Sequence, residues 1–191
     1  MPGRPLAKAR PRYDAGRRAS VALLAHEAAG EGGLVYLDSA ATTQKPACVL
    51  EAVDAFYRTN NANPHRGAHR LGGAATEALE AARRDVARFV GADADEVAFT
   101  SGTTCALNQL AYGLAGLLRP GDEVAVSLLE HHSNLVPWLT VAKLAGAKVR
   151  YLVPDRQGRV PDGEIDRAVG SRTRIVAVSH VSNVLGCIQP V

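Results

Sequence analysis

The chain has 191 residues, 47% hydrophobic and 21% charged, with a net charge of +3. That length can bury a sizeable core, and the composition excludes wholesale disorder. Its apolar runs, such as LNQLAYGLAGLL, are interrupted well short of the roughly 18–20 residues of a membrane span. The positive charge is concentrated at the start, where Arg4, Lys8, Arg10, Arg12, Arg17 and Arg18 face only Asp14. A basic head can bind nucleic acid or act as a transit peptide, but with three prolines and no hydrophobic h-region residues 1–18 read as a basic, flexible, solvated tail. The basic balance is a weak argument for nucleic acid. Three cysteines, Cys48, Cys105 and Cys187, stand in no C-x-x-C pattern. An odd, widely spaced set argues against a disulfide framework or zinc knuckle and for a reducing, cytoplasmic setting.

In chain order, residues 19–33 suggest a short helical segment closed by Gly30, and LVYLD (34–38) a strand leading into SAATTQKP. Pro46 suits the first turn of a helix carrying Val49, Val53 and Phe56 on one face. The polar, glycine-containing stretch 60–73 reads as a loop. Ala75, Leu79, Ala82, Val86 and Phe89 then repeat at helical spacing, with Glu80 and Arg84 set for an i,i+4 pair. Beyond this the pattern alternates regularly. Strand 96–100, helix 104–118, turn RPGD, strand 123–127, helix 133–145, strand 147–153, a short helix at 163–169 and strand 174–180 follow one another. Short valine-rich strands alternating with helices predict an α/β fold with a largely parallel sheet. Ligands of such sheets bind beyond the carboxyl ends of the strands. The segments expected there are TSGTT, EHHSN, PDRQG and SHVSNVLG.

TSGTT at a strand-to-helix turn offers free helix-start amides, hydroxyls and a glycine that lets backbone approach closely, a chemistry suited to a phosphate dianion. An ordinary helix cap is the alternative. No P-loop lysine and no G-x-G-x-x-G accompany it. His131 and His132 in EHHSN leave metal binding, acid/base chemistry, ring stacking or a simple structural role open. His65 and His69 have i,i+4 spacing, but Pro64 and Gly67 argue against a helix there, and a metal site would need further ligands.

Five segments in order, YLDSAATTQKP, NPHRGAHRLGGAATEALEAAR, FTSGTTCALNQLA, EHHSNLVPW and HVSNVLGCIQPV, resemble the signature segments of the cysteine desulfurases. Among the class V aminotransferase-like, pyridoxal-phosphate enzymes they are most similar to the Suf-type and selenocysteine lyase branch. The resemblance covers residues 34–191. It implies the three-layer α/β large domain of fold type I, a pyridoxal 5'-phosphate cofactor and a homodimer. By position, Thr103 and Thr104 would hold the cofactor phosphate and His131 would stack over the pyridine ring. Asn183 would lie near the phenolic oxygen and the substrate carboxylate, and His65 and Arg66 on the substrate side; no metal is implied. Cys105 stands where the family pattern has an acidic residue.

The implied activity is conversion of L-cysteine to L-alanine with a protein-bound persulfide that feeds iron-sulfur cluster assembly, a sulfur-acceptor protein being a further partner. L-selenocysteine, another class V reaction, or a non-catalytic binding or dimerisation role are the alternatives. Nucleic acid and membrane are not expected partners. None of Lys8, Lys45, Lys143 and Lys148 stands in the His-Lys context of the Schiff-base lysine. That lysine, the pyridine-nitrogen aspartate and the persulfide cysteine are expected after Val191, so the chain reads as an incomplete large domain, inactive by itself. A parallel sheet cut short leaves strand edges and apolar faces uncovered, which predicts low stability or aggregation.

Overall fold

A computed structural model describes residues 19–27 and 34–189. The basic tail 1–18, Gly30 with the rest of segment 28–33, and Val191 lie outside the described residues. The chain divides into two units, Met1–Val97 and Ala98–Val191.

The first unit is helical: α1 (Ala22–Glu27), α2 (Ala47–Thr59) and α3 (Arg70–Val90). Val21 forms an isolated antiparallel bridge with Pro46, and the Ala47 amide donates to Ser20 O at 2.7 Å. Pro46 stands one position ahead of the expected first turn, as the N-cap of α2. Its missing N–H leaves nothing unpaired there. α3 begins at Arg70, so the expected loop ends at His69, whose Nδ1 accepts the Gly72 amide at 3.2 Å. The two glycines that suggested a loop are tolerated because this side-chain cap compensates for their weak propensity. Gly91, at φ 74, ends the helix.

The buried positions of α3 are Gly72, Ala75 and Ala87. The bulkier residues of the expected face are more open, and Phe89 is 91% exposed. The expected Glu80–Arg84 pair is replaced by Glu80 with Arg83 at 3.1 Å and Arg84 with Glu77 at 2.7 Å. Glu80 is drawn round by His65, whose Nε2 lies 3.2 Å from it.

Neither the strand expected at 34–38 nor that at 96–100 forms among the described residues. Ala94–Glu96 is a 3₁₀ turn with an Asp93/Glu96 capping box, and Val97 is extended at φ −103 and ψ 119. Residue pattern favours extended backbone, but a strand also requires a ladder partner.

The second unit contains α4 (Thr103–Leu114), β1 (Glu123–Ser127), α5 (Val136–Ala145), β2 (Lys148–Leu152), α6 (Asp162–Ala168) and β3 (Thr173–Ala177). The strands are parallel in the order β2-β1-β3, with Val124 opposite Val149 on one side and Ile175 on the other. Central β1 is buried at every position, while β2 and β3 are only partly covered. This is the parallel α/β arrangement expected from the alternating pattern. Ala111, Leu118, Val124, Val126, Trp138, Val141, Ala142 and Ala177 form its main core. Gly146, at φ 68, closes α5 and lets β2 begin two residues later.

Charges gather at the amino end of β1. The Glu123 carboxylate is bonded by Arg150 at 2.9 Å and approached by Arg172 at 3.0 Å, while Asp122 pairs with Arg174 at 3.1 Å. The Arg150 hydrogen bond holds the Glu123 carboxyl below the usual carboxylate range, and it outweighs the opposing desolvation with help from nearby positive charges. These groups tie three strands together at the edge away from the carboxyl-end loops. No helix among the described residues is long and apolar enough to cross a membrane.

Candidate active site

The start of α4 follows from a run of small residues. Thr100 Oγ1 accepts the Gly102 amide at 3.4 Å and donates to Gly102 O at 3.2 Å, folding the chain tightly before the helix. Gly102 is at φ 151, a conformation strained for other residues. As N-cap it has no side chain with which to satisfy the first amides. The Thr103, Thr104 and Cys105 amides have no acceptor among the described residues. Thr103 and Thr104 are exposed, while Ala111 farther along the helix is fully buried. The core thus anchors α4 and leaves its positive end in solvent, a donor set suited to an anion.

A second segment comes from the carboxyl end of β1. Ser127 Oγ accepts the Leu129 amide at 3.0 Å, turning the chain towards Glu130 and His131. His131 caps the 3₁₀ turn His132–Asn134: its Nδ1 accepts the Ser133 amide at 3.1 Å and lies 2.8 Å from Ser133 Oγ. The turn packs against α4, bringing the His131 segment beside the helix that begins with Thr103 and Thr104. The His131 and His132 rings meet edge to face, with centroids 6.3 Å apart and planes at 66°. Among the described residues no group of three or more His, Cys, Asp or Glu is placed to hold a metal.

Asn183 lies in a third segment, after β3, and is exposed. The Val181–Ile188 bridge and the Ser182 amide's 3.0 Å bond to Cys187 O close its loop. Buried Ser182 supports the tip, its Oγ accepting the Val184 and Leu185 amides. Because β1 and β3 are adjacent and parallel, the His131 and Asn183 loops leave the same edge of the sheet.

Two residues missed in the sequence hold these loops. Glu130 Oε1 accepts the Ser179 amide at 2.7 Å, and Oε2 accepts Ser179 Oγ at 2.5 Å and Asn134 Nδ2 at 2.7 Å. Asn134 Oδ1 in turn accepts Trp138 Nε1 at 3.0 Å. Gln189, 5% exposed, accepts the Val160 amide at 3.0 Å and donates to Gly158 O at 2.7 Å, joining the loops after β2 and β3. Residue type gave Glu130 a visible carboxylate, but nothing local indicated bonds spanning 49 residues.

His65 and Arg66 belong to the first unit, in the loop before α3, and both are exposed. His65 has φ 62, unusual for a side-chain-bearing residue. Its amide donates to Thr76 Oγ1 at 2.8 Å, and its ring meets Glu80. Arg83 bonds both Glu80 and Val97 O, fastening the same network to the end of the unit. Of the lysines expected not to carry the cofactor, Lys45 donates to Thr43 O at 2.5 Å, and Lys143 and Lys148 are exposed on α5 and β2.

A parallel α/β sheet with an anion-suited helix start and a histidine turn at its carboxyl edge defines a candidate cofactor-binding fold. Residues 35–191 match the family Aminotransferase class-V, and the chain belongs to that family. It is 49% identical over 161 residues to a probable cysteine desulfurase of Halalkalibacterium halodurans, covering 83% of this chain and 39% of that protein. Identity to one of Pseudomonas aeruginosa is 50% over 160 residues, covering 83% and 40%. The solved apo cysteine desulfurase of Thermococcus onnurineus superimposes with a TM-score of 0.84 at 34% identity, covering 100% of this chain and 44% of that one. The chain thus spans about two fifths of the length of these two relatives.

Proposed function

We propose that the chain is the phosphate-holding part of a pyridoxal-phosphate-dependent cysteine desulfurase of the Suf type. The observation that carries this reading is the α4 start, with unpaired amides beside exposed Thr103 and Thr104, in a chain similar to cysteine desulfurases. These residues fit the phosphate of pyridoxal 5'-phosphate, and the turn packed against α4 supplies a flat imidazole for its ring.

In this reading Thr103 and Thr104 bind the phosphate through hydroxyls and amides. His131 stacks on the ring face, and Asn183 orients the phenolic oxygen and substrate carboxylate. His65 and Arg66 serve the substrate side. Bound there, the cofactor supplies an electron sink at the substrate α-carbon. The intact protein takes L-cysteine, breaks its carbon–sulfur bond and passes the sulfur to a cysteine thiol. The products are L-alanine and a persulfide: the carbon gains the hydrogen that the thiol pair loses, so no external oxidant enters. A cytoplasmic homodimer, a sulfur-acceptor protein and delivery to iron-sulfur clusters complete the proposal. The lysine that attaches the cofactor and the sulfur-accepting cysteine are assigned to none of the residues in this chain, which alone would not turn over.

Titration of the purified chain with pyridoxal phosphate, followed by absorbance and fluorescence, tests the reading. Weak saturable binding, displaced by inorganic phosphate and lost in the Thr103→Ala/Thr104→Ala double variant, is expected. A folded chain with no such binding, or with binding indifferent to both threonines, removes its basis. With L-cysteine added, release of more than one sulfide per chain would overturn the assigned inactivity.

A further inference from the structure

We infer that Glu130 and Ser133 are positioning residues that hold His131 as a single imidazole tautomer with Nε2–H as its open donor. A backbone amide can only donate, so the Ser133 N–H at 3.1 Å makes His131 Nδ1 an acceptor. The Ser133 hydroxyl, 2.8 Å from the same nitrogen, supplies a second donor. In the neutral ring the proton must then reside on Nε2, which has no partner among the described residues.

This local arrangement needs a fixed turn, and Glu130 provides it. Its carboxylate takes both donors of Ser179 from the end of β3 and the side-chain amide of Asn134 from the end of the histidine turn. Asn134 is held from its other side by Trp138, itself in the buried core. The His131 backbone is therefore bracketed between two residues of one tied network. His132, adjacent and also exposed, has no such bond from a backbone amide among the described residues.

The chemical consequence is a restriction. A neutral His131 offers a hydrogen bond through Nε2 and has no free lone pair there. Taking up a proton at Nδ1 breaks the Ser133 amide bond. His131 consequently acts as an oriented donor towards an anionic acceptor, such as a phenolate, carboxylate or thiolate. That role rests on the proposed function; the state of the ring does not.

The test uses the ¹⁵N-labelled full chain without added ligand, at a pH above the imidazole titration range. Long-range ¹H–¹⁵N correlations report which ring nitrogen carries the proton, with His131→Gln and His132→Gln assigning the two sets. Wild-type His131 should show a pyridine-like Nδ1 and a pyrrole-like Nε2, with a tautomer ratio about fivefold beyond that of His132, the effect expected of one hydrogen bond. Ser133→Ala should reduce that bias, and Glu130→Gln should move His131 towards the averaged pattern of His132. A purely structural Glu130 would lower stability while leaving the His131 pattern unchanged. If Glu130→Gln does not fold, Ser179→Ala removes one of its bonds and should produce the same shift in smaller measure. Identical averaged patterns for the two wild-type histidines, or a His131 pattern indifferent to loss of the Glu130 contacts in a folded variant, would overturn the inference. Failure to bind pyridoxal phosphate alters none of these resonances and counts against the proposed function alone.

Discussion

Replacing Gly72 with alanine sets helix propensity against backbone contact. Gly72 and Gly73 are neighbours in the first turn of α3, and an alanine in a helix is favoured over glycine by up to about 1 kcal/mol. At Gly73 an added Cβ meets nothing within 4 Å, so that gain stands. At Gly72 the Cβ would lie 2.8 Å from Gly67 Cα and 2.9 Å from Gly67 O. Both are backbone atoms, so no side-chain rotation relieves the contact. The Gly67 segment is also held by the His65 amide bond to Thr76 at 2.8 Å. Overpacking of this kind costs about 1–3 kcal/mol. After the full propensity gain, Gly72→Ala should be destabilised by up to about 2 kcal/mol, and Gly73→Ala should be neutral or stabilised. Hydrogen exchange read by mass spectrometry on peptides spanning 64–80 measures the difference. Gly72→Ala should exchange faster than wild type there, by up to roughly 30-fold, while Gly73→Ala should not. Equal protection in the two variants would refute the close approach of these backbones.

Val141, wholly buried beside Trp138 in the core of the second unit, should cost about 2 kcal/mol when cut to alanine, seen as a lower urea midpoint by Trp138 fluorescence. Gln189→Leu orphans the Val160 amide and Gly158 carbonyl that its side chain now satisfies, at about 1–3 kcal/mol for each group left buried. The same fluorescence titration measures it, and a neutral result would mean that water replaces both bonds. Because the folded-state pKa of Glu123 is depressed, its stabilising contribution is present above the ordinary carboxylate value and is lost as pH falls through the depressed one. Circular dichroism against pH should show an acid transition in wild type, with a weaker dependence on pH over that window in Glu123→Gln.

What was legible in the sequence depended on whether the physical cause was local. Strand β1 was bounded correctly because Val124, Ala125 and Val126 form an apolar centre between turn residues, and α5 was legible up to its 3₁₀ entry because Gly146 follows its last apolar turn. Residues 97–100 have similar composition but no ladder partner among the described residues, and composition cannot supply one. The start of α3 was missed for the opposite reason: His69, read as one of two histidines of uncertain use, is the cap that admits Gly72 and Gly73 into a helix. The same division runs through the candidate site. Threonines at a helix start announce their chemistry by type and position, since the free amides follow from helix geometry alone. His131 could be singled out, but its ring state could not, because that depends on the Ser133 amide and on a carboxylate whose partner lies 49 residues away. Nearby glutamate, serine and asparagine therefore carry information about function that a motif does not express: they limit which nitrogen of the histidine is available.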